Sequence, residues 1–155
     1  MVMFRKSTLF LLITLFAVPC FAGSPMRGAK EGVAIDGHDP VAYFTKKAPV
    51  KGSPEHAHEW SGVKWLFSSA EHRALFAANP ERYAPQYGGY CAYGIASGYI
   101  SKKVGYEDAW TIHNDKLYMF PDRGAESAWF RTGGQANTRY GDQNWPKLKA
   151  VLESQ

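Results

Sequence analysis

Four side chains of this 155-residue sequence have the chemistry to bind a soft transition metal. Cys91 offers a thiolate, and His56, His58 and His72 offer imidazole nitrogens. Sulfur and imidazole ligands suit copper(I) or zinc better than magnesium or calcium. His56 and His58 occupy alternate positions of a predicted strand, so both lie on one face. The favoured hypothesis is therefore a mixed nitrogen and sulfur site for copper or zinc, with a role in metal handling at the cell envelope.

The same residues also have a purely structural interpretation. Cys91 stands among three tyrosines, and a free cysteine is commonly a small, buried, apolar side chain. The histidines can border an aromatic face or contact solvent, and His72 by itself is expected to be exposed on a first helical turn. The five tryptophans suit a core, although they could line an apolar pocket. The alternative function is then a metal-free binding module for a protein or a small apolar ligand.

The strong catalytic motifs are absent from the sequence. It contains no Gly-x-Ser-x-Gly elbow, His-Glu-x-x-His pair, phosphate loop or Cys-x-x-Cys-His haem site. Asp36 and Asp39 suit a turn and a helix cap better than acid–base chemistry. A non-enzymatic role is favoured, and a small enzyme of unknown type stays open as a further alternative.

The N-terminus has the order of a bacterial secretory signal peptide. Arg5 and Lys6 precede the apolar run 9–18, and Ala22 stands just before Gly23. This order predicts cleavage after residue 22 and a periplasmic or secreted mature protein. The apolar run is half the length of about 20 residues that a membrane helix needs, so no permanent membrane span is expected.

Charge and cysteine content narrow the partners and the source of stability. Loss of Arg5 and Lys6 would lower the net charge from +4 to +2, and the remaining basic residues are scattered. No nucleic-acid partner is therefore expected. Cys20 would leave with the signal peptide, so Cys91 has no partner for an internal disulfide. An aromatic-rich core must hold the domain together.

Two hairpins are predicted from turn chemistry. Residues 56–60 and 63–67 are predicted to form two strands joined by the two-residue turn Ser61-Gly62, which pairs Trp60 with Val63. Alternate residues of the two strands then lie on one face of the hairpin. That face contains His56, His58, Trp60, Val63, Trp65 and Phe67. The second hairpin spans 107–120 around Asn114-Asp115. One of its faces is apolar, and the other, more polar face carries Thr111, a solvated His113, Lys116 and Tyr118.

Short helices are predicted between the hairpins. Asp39 caps a turn that starts at Pro40, and Ser68 with Glu71 forms a capping box that opens a helix. Further helical segments are predicted at 80–83, 90–97 and 126–131. The chain is then expected to end in a tail whose Trp145 docks on the core. Together these elements predict a small single α+β domain at 33–150, after a flexible leader at 23–32.

Several ordered motifs give the sequence a family resemblance. They are Asp36-Gly37-His38-Asp39-Pro40-Val41-Ala42-Tyr43-Phe44, Trp60-x-Gly62-x-x-Trp65-x-Phe67, Tyr83-Ala84-Pro85-Gln86-Tyr87-Gly88-Gly89-Tyr90-Cys91-Ala92 and Asn144-Trp145-Pro146. The chain resembles the secreted bacterial branch of the YHS domain family over residues 33–147. The resemblance implies a treble-clef-like fold. Metal-binding members carry cysteine where this chain has Ala42, Ser68 and His72, so the resemblance does not imply their metal site.

Overall fold

The computed structural model describes residues 24–29 and 31–154. The predicted signal peptide and its cleavage point lie outside the described residues. The predicted small α+β domain is confirmed. The helices are α1 (Pro40–Thr45), α2 (Ala70–Ala78), α3 (Pro80–Tyr83), α4 (Ala92–Ala96), α5 (Arg123–Arg131) and α6 (Gly134–Glu153). The strands are β1 (Ser53–Trp60), β2 (Val63–Phe67), β3 (Trp110–His113) and β4 (Lys116–Met119), with 3-10 turns at Ala34–Gly37 and Gln86–Gly89.

Both hairpins form in the predicted register. Trp60 pairs with Val63 across the first turn, and β3 pairs with β4 across the second. Ser61 and Gly62 have φ of 52° and 73°, the left-handed values that a tight two-residue turn needs. The predicted alternation fails only upstream, where β1 is irregular between Ser53 and Ala57. His56 lies in that irregular stretch.

Two aromatic-rich clusters form the core, the first between the two hairpins and the second on the other face of the second hairpin. The first contains Ile35, Tyr43, Trp65, Phe67 and Phe76. The second contains Tyr87, Ile95, Tyr118, Phe120 and Trp129. Among the helices of the described residues, none is both long and apolar enough to cross a membrane.

The predicted polar face of the second hairpin is wrong. Tyr118 is buried, and the ring of His113 lies 5.4 Å from Trp129, edge to face. Helix α5 places Trp129 over this face, so the hairpin is covered on both sides. The alternating pattern of the two four-residue strands could not show that a helix covers this face, because that helix, α5, comes later in the chain.

Helix α6 replaces the predicted tail. Pro146 lies inside this helix and removes one backbone donor, which disfavours helix locally. Tertiary contacts compensate for this cost. Asn144 Nδ2 donates to the carbonyls of Ile95 and Ala96 at 3.0 and 3.1 Å, and Trp145 packs 6.0 Å from Tyr87.

The predicted leader is packed on the domain where the structure describes it. Arg27 N–H donates to Gly88 O at 2.8 Å, and Ser24 Oγ donates to Ser61 O at 2.6 Å. Residues 24–29 thus join the first hairpin to the segment that precedes α4.

Stability should fall at high pH because tyrosines are buried. Burial raises the pKa of Tyr43, Tyr87 and Tyr106 far above their ordinary value. Tyrosines of the unfolded chain ionise at about pH 10. Above that pH the folded protein therefore keeps tyrosine protons that the unfolded chain has released. The unfolding free energy should then fall by up to about 1.4 kcal/mol per pH unit per tyrosine. Thermal melts followed by circular dichroism from pH 8 to 11 measure this slope.

A matched pair of variants isolates the tyrosine contribution. Tyr43→Phe should flatten the slope, whereas Tyr140→Phe should leave it unchanged, because Tyr140 is half exposed. A melting temperature that stays constant between pH 9 and 11 would contradict the explanation.

Candidate functional site

The buried carboxylate of Asp39 is the most heavily bonded polar group of the domain corner between α1, β2 and α2. Its Oδ1 accepts from the backbone N–H groups of Val41 and Ala42 at 2.9 and 3.3 Å. Its Oδ2 accepts from Ser68 N, Ser68 Oγ and His72 Nδ1 at 2.8, 2.7 and 2.6 Å. The side chain is fully buried. Five donors therefore compensate for the lost hydration of one negative charge.

This network corrects two predictions about α2. The hydroxyl of Ser68 donates to Asp39, so Ser69 caps the helix instead, and its Oγ accepts from the backbone N–H of His72 at 3.1 Å. His72 is only 7% exposed, so the prediction of a solvated side chain is wrong. Its partner Asp39 lies 33 positions earlier, so the residues around His72 in the sequence could not predict this contact.

The carboxylate, imidazole and a hydroxyl follow the order of a catalytic triad. Thr45 Oγ1 lies 3.2 Å from His72 Nε2, on the side opposite Asp39. A working triad needs the hydroxyl proton to point at the imidazole. Here Thr45 donates to Val41 O at 3.1 Å, one helical turn earlier. The backbone acceptor thus lies as near to the hydroxyl as the imidazole does, and a bond of this kind to the carbonyl four residues earlier is common for threonine within a helix.

Cys91 is buried at the start of α4. It is 2% exposed, and its Sγ accepts from Gly94 N–H at 3.3 Å as an N-cap. Burial raises the pKa of the thiol, and the hydrogen bond from Gly94 opposes this effect. Since the thiolate is the nucleophile and the metal ligand, a protonated buried thiol is inert.

The structure does not bring the predicted metal ligands together. His72 is bonded to Asp39, Cys91 caps α4, and the ring of His58 packs edge to face 6.1 Å from Phe76. His56 lies in the irregular part of β1. Within residues 24–29 and 31–154, no three or more histidine, cysteine or acidic side chains are grouped to hold a metal ion. Strand alternation could place two histidines on a face, but it could not show that tertiary packing separates them from the thiol.

An open aromatic groove lies at the junction of the first hairpin, α3 and α6. Its volume is about 360 Å³. Trp60, Trp145 and the buried Tyr87 line it, and three charged residues border it. These are Lys116, Lys149 and Glu81. The prediction that tryptophans form the core is confirmed for Trp65 and Trp129, but Trp60 and Trp145 are half-buried and border this groove.

The wall of the groove at Tyr87 is fixed from several sides. The hydroxyl of Tyr87 lies 3.1 Å from Thr138 O and 3.0 Å from Asp142 Oδ1, and it donates to these acceptors. A Cβ at Gly141 would collide with this hydroxyl, which explains a glycine within α6. Tyr87 has φ of 55°, a left-handed value that is rare for a bulky residue. Such strain persists only where the surroundings enforce it.

A second, polar pocket surrounds His38. It has a volume of about 330 Å³ and is bordered by Asp36, Lys51, Glu107 and other residues. His38 Nδ1 lies 3.0 Å from Ile35 O, the local backbone bond that a turn histidine can form. Burial lowers the pKa of His38, which keeps its imidazole neutral at pH 7. Three acidic residues, Asp36, Glu107 and Asp108, face a single basic residue, Lys51, so the lining carries net negative charge.

Comparison of the chain with family models, curated proteins and solved structures gives no match.

Replacement of Asp39 should destabilise the fold strongly. In Asp39→Asn the amide presents donors to groups that are themselves donors, and the charge-assisted bonds are lost. Breaking a buried pair of this kind costs about 3–5 kcal/mol. Urea denaturation followed by circular dichroism measures the loss. Asp36→Asn is the control, since Asp36 is exposed and asparagine tolerates its positive φ of 51°. A loss of under about 1 kcal/mol for Asp39→Asn would show that the network is dispensable.

Cys91 should resist thiol reagents until the protein unfolds. Because the thiol is buried and protonated, labelling with dithionitrobenzoate requires an opening of the structure. We expect labelling at least about 100-fold slower than for an exposed thiol. The matched exposed thiol is Ser97→Cys in a Cys91→Ser background, because Ser97 is the exposed residue that directly follows the same helix. Equal labelling rates for the two proteins at pH 8 would refute burial as the controlling factor.

Proposed function

We propose that this protein is an exported YHS-type domain that acts as a non-enzymatic, metal-free binding module. Its ligand site is the groove of Trp60, Tyr87 and Trp145, and its ligand is small and largely apolar. The observation that carries the proposal is this groove. Small-molecule sites are typically pre-formed clefts of a few hundred Å³ lined by aromatic side chains with few polar groups.

The corner at Asp39 supports the YHS resemblance. Metal-binding members carry cysteine at the position of Ala42 and at those of the adjacent pair Ser68 and His72, which lies 26 residues further along the chain. In this structure all three residues donate hydrogen bonds to Asp39. Positions that would share a metal in the relatives therefore surround one carboxylate here.

The same corner argues against the metal-binding hypothesis. A metal ion at His72 would compete with Asp39 for Nδ1 or with Thr45 for Nε2. Recruiting Cys91 would also require a buried thiol, whose pKa burial raises, to lose its proton and become accessible to the ion. Copper or zinc at Cys91, His72, His58 and His56 remains the competing hypothesis, and it requires rearrangement of both elements.

Export is proposed from the order of charge, apolar run and small residues at the N-terminus. The buried thiol is compatible with it, because a lone exposed cysteine would be open to oxidation outside the cytoplasm. The mature protein would begin at Gly23 in the periplasm or outside the cell.

Binding of the neutral fluorescent probe N-phenyl-1-naphthylamine tests the groove. We expect saturable binding at one site, monitored by probe fluorescence. Trp145→Ala should weaken it at least about tenfold, since one wall of a stacked pocket is lost. Phe130→Ala is the control, because Phe130 is a partly exposed aromatic residue outside the groove. Binding that is absent, or equally affected by both substitutions, would overturn the proposal.

Metal analysis tests the competing hypothesis on the same protein. Untagged protein isolated from the periplasm should contain far less than one equivalent of copper or zinc, both as wild type and as Cys91→Ala. Stoichiometric metal that is lost in Cys91→Ala would establish a thiolate site and refute the metal-free assignment.

A further inference from the structure

The groove has a chemical preference that goes further than apolar binding, and this inference rests on the proposed function. We propose that its ligand is an aromatic organic anion, a planar ring system with one acidic group. The rings lie against the half-buried Trp60 and Trp145, and the acidic group meets Lys116 and Lys149.

The tryptophans that line the groove favour a ligand with flat aromatic rings. The buried ring of Tyr87 packs 6.0 Å from Trp145 and supports this indole from behind, while Trp145 itself stays half-buried at the groove. Contacts between aromatic rings contribute free energy beyond the burial of their area. A volume of about 360 Å³ is near the lower end for small-molecule sites and suits two or three rings.

The charges around the groove favour an anion. Lys116 is exposed and, within the described chain, has no acidic partner within ion-pair distance. Lys149 lies 3.6 Å from Glu153 on the same helix, and both are partly exposed. Such a surface pair contributes little stability, so Lys149 can turn to a ligand at small cost. Glu81 is the one acidic residue among those that line the groove.

The lysines sit on elements that are already fixed. Lys116 begins β4, next to the tight turn at Asn114 and Asp115. Lys149 lies one helical turn after Trp145 on α6, so both project from one side of that helix. Because Tyr87 is held by hydrogen bonds and by contact with Gly141, a ligand would not have to order the aromatic wall.

Two related probes separate charge from apolar contact. Anilinonaphthalene sulfonate carries the ring system of N-phenyl-1-naphthylamine together with a sulfonate. In the double variant Lys116→Gln with Lys149→Gln, we expect about tenfold weaker binding of the sulfonate probe, since charge-assisted hydrogen bonds are lost. Binding of the neutral probe should change less than about twofold. Glu81→Gln should strengthen binding of the sulfonate probe, and added salt should weaken it.

Lys147→Gln is the matched control, as an exposed lysine on α6 outside the groove. It should change neither affinity. Circular dichroism melts verify that every variant is folded. If the neutral probe binds but the lysine variants bind the sulfonate probe as tightly as wild type, the anion preference is refuted while the groove stands. If neither probe binds, the proposed function and this inference both fail.

Discussion

A single buried carboxylate, that of Asp39, organises the first half of this domain. It caps α1 through Val41 and Ala42, holds the end of β2 through Ser68, and orients α2 through His72. A buried charge is tolerated only when its lone pairs are occupied, so the three elements must meet at one point with little freedom. The hairpin, α1 and α2 are therefore fixed as a unit on the aromatic core beneath them.

This arrangement uses the polar side chains that could otherwise have bound a metal or performed catalysis. His72 is held by Asp39, and Thr45 donates to its own helix. Cys91 is buried as the cap of α4. The groove bordered by Trp60 and Trp145 lies at the turn end of the first hairpin, whereas Asp39 binds Ser68 at its open end. The proposed function follows from this division between a structural corner and an open aromatic site.

The sequence predicted best those elements whose conformation depends on residues close to one another in the chain. The registers of both hairpins follow from their two-residue turns, and these predictions were correct. Burial of His72 was missed because its partner Asp39 is distant in the chain. Helix α6 was missed because Pro146 and Gly141 both disfavour helix locally. The packing of Tyr87 against Gly141 explains the glycine, but that contact becomes visible only once the fold is formed.

The most direct test of the account is a chemical-shift map of the amide groups, recorded by nuclear magnetic resonance as N-phenyl-1-naphthylamine is added. We expect the largest changes at Gly88, Lys116 and Lys149, the amides around the groove, and little change at Ser68 and His72. Changes centred on Ser68 and His72 would place the binding site at the Asp39 corner and contradict the assignment of that corner to structure.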